Sequence, residues 1–349
     1  MLEDYPNNNL LIPISGSTLE ELIENLKPYI EESNKNIKER LDLYNFKTSF
    51  GTPISYLSGK SIDKYLDTIY FLLNNEDQCL YSTYSSNVEK GSKYVITLSS
   101  LVILNALGYL DKIKTISDRI LISPSIKTFV RKGISDAIKY DSVVSTAFLD
   151  EENKFRMEES SEESKIFRKT FWTQIMIAIK AFNEVNPGDI DTSYYDKMHE
   201  FIHISEFESI DIAASENAIL VCDDLFISKV SIGINIDVSI INIIELLYKE
   251  EIISIDELIG LLQNLIKKKY LNCINHFILF DIYNYLLDSY GTSKYEELYR
   301  QISDIFECLF GDHLEISNDF LYKNFINLVS VNNRMNQILY KFLEKPLNL

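Results

Sequence analysis

Residues 205–224 read SEFESIDIAASENAILVCDD, and this stretch decides the fold class. Ser205 and Glu208 make a capping-box pair, whose hydroxyl and carboxylate satisfy the free amides of a first helical turn. A helix is expected to begin there. Past Ala213, Ala214 and Ser215 comes an unbroken apolar run, Ala218-Ile219-Leu220-Val221-Cys222. A short run without polar alternation fits a strand buried on both faces of a parallel sheet. It ends in two adjacent carboxylates, Asp223 and Asp224.

The same grammar appears upstream. Lys93-Tyr94-Val95-Ile96-Thr97-Leu98 is β-rich and leads into Ser99–Leu107, which stops at Gly108, so a strand, a short turn and a helix are expected. Arg119-Ile120-Leu121-Ile122 reads as a second strand, and Ser123-Pro124 as the N-cap and first residue of a second helix. Strand–helix alternation of this kind predicts an α/β fold with a parallel sheet and flanking helices. Residues 150–165 carry three Glu-Glu pairs and read as a solvated excursion with a hairpin around Phe155 and Met157. A helix from about Ser164 to Phe182 comes next, with the single tryptophan, Trp172.

Both flanks read as helical. In the first 90 residues, Ser17-Thr18-Leu19-Glu20 is a capping box before apolar residues at helical spacing, and Tyr65–Leu73 is a second apolar stretch. In residues 251–349, Ser254 and Glu257 cap a helix whose Leu258, Leu261, Leu262, Leu265 and Ile266 share one face. Lys267-Lys268-Lys269 close it on the side its dipole favours. Phe277, Phe280, Tyr283 and Tyr285 read as helix-packing aromatics. The expected organisation is a helical segment (1–90), an α/β domain (91–250) and a second helical segment (251–349).

Composition sets limits on function. The 349 residues are 46% hydrophobic, enough for a packed core, which excludes disorder for most of the chain. A formal net charge of −18 repels phosphate backbones, so broad nucleic-acid binding is excluded unless a cation or a local basic patch intervenes. The four cysteines form no C-x-x-C pair, and the N-terminus has no basic-then-apolar leader. The apolar runs are too short to cross a bilayer. A soluble, cytoplasmic protein with no membrane contact is expected.

Carboxylates at the end of a parallel strand lie where α/β sheets place ligands. Two like charges there are costly without a cation, and hard oxygen donors suit Mg²⁺ or Mn²⁺. The plainer reading is that Asp223-Asp224 ends the strand and caps the next element. Glu206, seventeen residues before Asp223, adds a third carboxylate at the start of the intervening helix.

Taken together, residues 93–250 resemble the PIN-domain nuclease superfamily. Tyr94–Leu101 looks like the first PIN strand running into its helix, and Ile120–Ser125 like the second. Glu206 and Asp223-Asp224 are similar to the acidic residue at a helix start and the strand-terminal pair. Ser231–Ile234, then Ser239–Ile244 and the helix to Tyr248, resemble the closing strand and helix. The resemblance implies metal-dependent endoribonuclease chemistry, with Glu206, Asp223 and Asp224 as catalytic and metal-binding residues and Asp211 as a helper. The departures are specific. Thr97 stands where a metal-ligating Asp usually ends the first strand, and Lys127 and Thr128 stand where a Glu often comes after the second. The expected function is therefore a divergent PIN-like protein: either a non-catalytic interaction or regulatory module, or a weak metal-dependent ribonuclease. Its expected partner is RNA or a protein, a basic one suiting the charge.

One competing motif remains. His199-Glu200-Phe201-Ile202-His203 satisfies H-E-x-x-H, in which two His one helical turn apart bind Zn²⁺ and the Glu activates water. It carries the alternative of a zinc-dependent hydrolase. The helix start expected at Ser205 argues against His203 lying mid-helix.

Overall fold

The computed structural model of the chain describes residues 89–139, 145–149, 155–159, 161–188, 202–233, 238–267 and 276–311. It also describes the strand residues 80–81 and 270–271, the run 24–32, and positions 18, 21, 35, 65, 66, 68, 69 and 236. The strands are β1 (Leu80–Tyr81), β2 (Tyr94–Ile96), β3 (Ile120–Ile122), β4 (Ser145–Leu149), β5 (Phe155–Glu159), β6 (Asn183–Glu184), β7 (Ile219–Val221), β8 (Ile240–Ile241) and β9 (Tyr270–Leu271). At the centre is a five-stranded parallel sheet in the order β6-β3-β2-β7-β8. Register is set by Tyr94 opposite both Ile120 and Ile219, and by Val221 opposite Ile241.

These central strands form where expected because their side chains are apolar on both sides. Tyr94, Ile96, Ile120, Ile122, Ile219, Val221 and Ile241 point into one core, and Val95, Leu121, Leu220, Cys222 and Ile240 into the other. A sheet covered on both faces needs such runs. The connecting helices supply the cover. They are α1 (Leu98–Ala106), α2 (Pro124–Lys139), α3 (Glu162–Ile179), α4 (Ile204–Ser215), α5 (Leu225–Gly233) and α6 (Ile243–Lys249). Helix α4 contributes Ile210, Ile212 and Ala213 to the second core. Trp172 of α3 lies in the first, edge-on to Phe171 and tilted against Phe129. Between α2 and α3 runs the expected hairpin, β4 against β5.

Several local expectations are met. Thr97 caps α1, accepting from the amide of Ser100 at 3.3 Å. Gly108 after that helix takes φ +78°, a left-handed conformation that suits glycine. Ser254 and Glu257 cap α7 (Ile255–Lys267) reciprocally, at 3.2 and 2.9 Å.

Two expectations are corrected. Helix α4 is capped by His203, whose Nδ1 accepts from the amide of Ser205 at 3.2 Å, so a ring nitrogen takes the role predicted for the Ser205 hydroxyl. Ser231–Gly233 finish helix α5, and the closing strand is β8 alone. Of the predicted N-terminal capping box, Ser17 and Glu20 lie outside the described residues; Thr18 Oγ1 accepts from the amide of Glu21 at 3.2 Å.

The flanks join the same core. Tyr65, Leu66 and Ile69 from the N-terminal side share the first cluster with α7, α8 (His276–Asp288) and α9 (Tyr295–Gly311). A small parallel pair, β1 with β9, links the two flanks. No described helix is long and apolar enough to cross a membrane.

Candidate functional site

The chain leaves β2 toward β3 on one side, and β7 later returns to pair with β2 on the other. The carboxyl ends of β2 and β7 therefore meet at the switch point of the sheet, where α/β folds form ligand crevices. Thr97 comes directly after β2, and Asp223 lies just past the end of β7. They are joined through the backbone, the amide and the hydroxyl of Thr97 both donating to the Val221 carbonyl at 3.1 Å.

Asp223 is fully buried, and both of its oxygens accept hydrogen bonds. The Ser100 hydroxyl donates to Oδ2 at 2.6 Å. The Tyr270 hydroxyl donates to Oδ1. The amide of Ile243, first residue of α6, reaches both oxygens at 3.3 Å. Asp223 thus stands at the N-terminus of a helix with two hydroxyls facing it, the environment that stabilises a buried carboxylate without a metal. Asp224, 2% exposed, turns Oδ1 to the amide of Phe226 at 2.9 Å. It caps α5, as the plainer reading of the pair expects.

Glu206 sits differently. It lies in the first turn of α4, and its Oε1 accepts from the Ser99 amide at 3.0 Å and from the Tyr65 hydroxyl within 3.5 Å. The carboxylate therefore joins the N-terminal turns of α4 and α1. Its Oε2 is buried with no hydrogen-bond partner among the described residues. Burial, with the charge of Asp224 added, pushes Glu206 up to about 7; the Ser99 amide pulls the other way. The same burial raises the Tyr65 phenol and the Cys222 thiol, both further raised by Glu206 and Asp224. Burial is the main cause for Glu206: its charged form would lose hydration that the surrounding groups only partly replace.

The structure thus brings Glu206, Asp223 and Asp224 to one region. Asp211 is separate: five residues on from Glu206, it points about 140° away around α4 at 3.6 residues per turn. There its carboxylate lies 3.5–3.6 Å from where a Cβ on Gly188 would stand. Lys127 pairs with Glu184 at 2.7 Å on the surface. Among the described residues, no group of three or more His, Cys, Asp or Glu side chains is arranged to hold a metal ion. Asp223 spends its lone pairs on protein donors, Asp224 caps a helix, and Thr97 offers a hydroxyl already engaged with Ser99, Ser100 and Val221. As placed, this donor set does not fit Mg²⁺ or Mn²⁺, which needs several convergent, available oxygens.

His199 and Glu200 lie outside the described residues. His203 has extended backbone (φ −69°, ψ 144°) and packs edge-on to Phe129 at 4.6 Å. His203 therefore stands at the start of a helix and not in the middle of one, where the zinc motif would place it. Sequence reasoning missed the hydroxyl partners Tyr65, Ser100 and Tyr270. Ser100 alone had a signal, lying three residues from the Thr97 cap.

Comparison with known proteins agrees with the geometry. Residues 95–231 match the family model described as a PIN domain associated with the TPR-GreAB-C-PIN system. No curated protein and no solved structure matches the chain. The parallel sheet, the acidic strand end at its switch point and this match together identify the central α/β unit of the chain as a PIN-like domain.

Proposed function

We propose that this PIN-like domain serves as a non-catalytic interaction or regulatory module. The observation that carries the reading is Asp223, whose two oxygens are occupied by the Ser100 and Tyr270 hydroxyls and the Ile243 amide. A carboxylate so engaged holds the ends of β7, α1 and α6 together. The Thr at position 97 supports the same reading, since its hydroxyl caps α1. The partner is a protein in the cytoplasm. The family description names such a domain together with a TPR-containing system, and the charge of −18 favours a basic contact surface on that partner.

One observation favours the second reading, a weak metal-dependent ribonuclease: the buried, unpartnered Oε2 of Glu206 beside the charge of Asp224. The two readings separate on labelled single-stranded RNA incubated with the full chain and Mn²⁺. The module reading expects no cleavage above that of an Asp223→Asn/Asp224→Asn chain. Cleavage by the wild type that this variant loses would establish the nuclease instead.

A further inference from the structure

Two of the hydroxyls that face the acidic residues come from outside the matched domain. Tyr65 belongs to the N-terminal flank and Tyr270 to the C-terminal one, and the family match covers only residues 95–231. Both rings are almost fully buried, Tyr65 at 2% and Tyr270 at 0% exposure. Each puts its phenol on a different acid: Tyr65 within 3.5 Å of Glu206 Oε1, and Tyr270 on Asp223 Oδ1. The two flanks also hold each other. Leu80 of β1 pairs with Tyr270 of β9, so the N-terminal flank fixes the backbone from which Tyr270 reaches Asp223. Ser100 and Ile243, by contrast, are donors supplied by the α/β unit itself.

We propose that the two flanking segments seal the acidic crevice of the PIN-like domain in cis, the Tyr65 and Tyr270 hydroxyls standing where a divalent cation would otherwise meet Glu206 and Asp223. The chemistry is a substitution of donors. A phenol O–H presents a partial positive charge to a carboxylate oxygen, and its ring fills the space that a hydrated cation needs. Burial raises the Tyr65 phenol, which keeps its proton and remains a donor. The inference rests on the non-catalytic reading and assigns its cause: the crevice is closed by the chain's own flanks.

The test uses the full chain and Mn²⁺ as the probe. Unfolding midpoints are read from Trp172 fluorescence, with and without millimolar Mn²⁺. The proteins are wild type, Tyr65→Phe, Tyr270→Phe, the double variant, and the double variant carrying Asp223→Asn. The wild-type midpoint is expected to ignore Mn²⁺. That of the double variant should be lower and recover by about 2–4 °C with Mn²⁺, as binding to the folded state alone requires. Asp223→Asn should abolish the recovery. Tyr65→Phe alone should recover less, and it decides the matter if the Tyr270 variants do not fold. A wild-type midpoint that rises equally with Mn²⁺ overturns the seal, as do folded Phe variants that gain no response. Asp223-dependent RNA cleavage by the wild type is a separate outcome; it sinks the non-catalytic reading whatever the tyrosine variants do.

Discussion

Ser100 Oγ, in the first turn of α1, donates to Asp223 Oδ2 across 2.6 Å, and both residues are fully buried. This contact ties the helix after β2 to the end of β7. Asp223→Asn turns one acceptor oxygen into a donor that faces other donors. The expected cost is about 1–3 kcal/mol, the penalty of a buried polar group left unpaired, read as a lowered urea midpoint. Ser100→Ala should cost about the same, and the two losses should be less than additive because they remove one contact.

Glu206 gives the fold a pH dependence of known sign. Its folded value is raised to about 7 from an ordinary 4.5, so the folded state favours the protonated form. The associated stability is fully present below pH 4.5 and is lost as pH rises through 7. A shift of this size corresponds to roughly 3 kcal/mol as an upper bound. Glu206→Gln should flatten the pH profile of the unfolding free energy between 5 and 8. A profile unchanged by the substitution would show that Glu206 is ionised throughout.

Glu250 acts in the opposite sense at the other end of the sheet. It accepts from both terminal nitrogens of Arg119, from the Tyr94 hydroxyl at 2.5 Å and from the Gly91 amide at 2.9 Å. Burial raises its value, but the Arg119 guanidinium and these hydrogen bonds outweigh that and bring it to about 2. Its stability is present above pH 4.5 and lost as pH falls toward 2. Glu250→Gln should cost about 1–3 kcal/mol at neutral pH and remove part of the acid-unfolding transition, measured by circular dichroism.

Trp172 reports on the first core. It is the chain's one tryptophan, 2% exposed, with Phe129 and Phe171 against it. Its emission should be blue-shifted when folded and should move to the red in one transition. Trp172→Ala should cost about 3–5 kcal/mol, the usual figure for emptying a buried aromatic site.

The sequence discloses the fold far better than it discloses the site, and the reason is distance along the chain. Tyr94–Ile96, Ile120–Ile122 and Ile219–Val221 announce themselves because burial on both faces demands apolar residues in a row. Strands of two residues, such as β1, β6 and β9, are too short to carry any period. The acids Glu206, Asp223 and Asp224 were visible as residues, but their state depends on Tyr65, Ser100 and Tyr270. Nothing local in the sequence links Tyr270 to Asp223, or Arg119 to Glu250. His203 belongs to a zinc motif by spelling, and in space it is the extended residue that caps the helix after it.

The pairing of β1 with β9 has a consequence for the order in which the chain acquires its structure. Leu80 and Tyr270 lie about 190 positions apart in sequence, and closing a loop of that length is entropically costly until the intervening chain is compact. The contact is therefore expected to arrive late, after the central sheet has assembled. Pulse-labelled hydrogen exchange should show the amides of β2 and β7 protected before those of β1 and β9. During synthesis, a ribosome-bound chain that has emerged through Asp224 but not yet through Tyr270 holds Asp223 without its phenol partner, although Tyr65 is already available to Glu206. The hydrogen-bond set around Asp223 closes only once Tyr270 arrives.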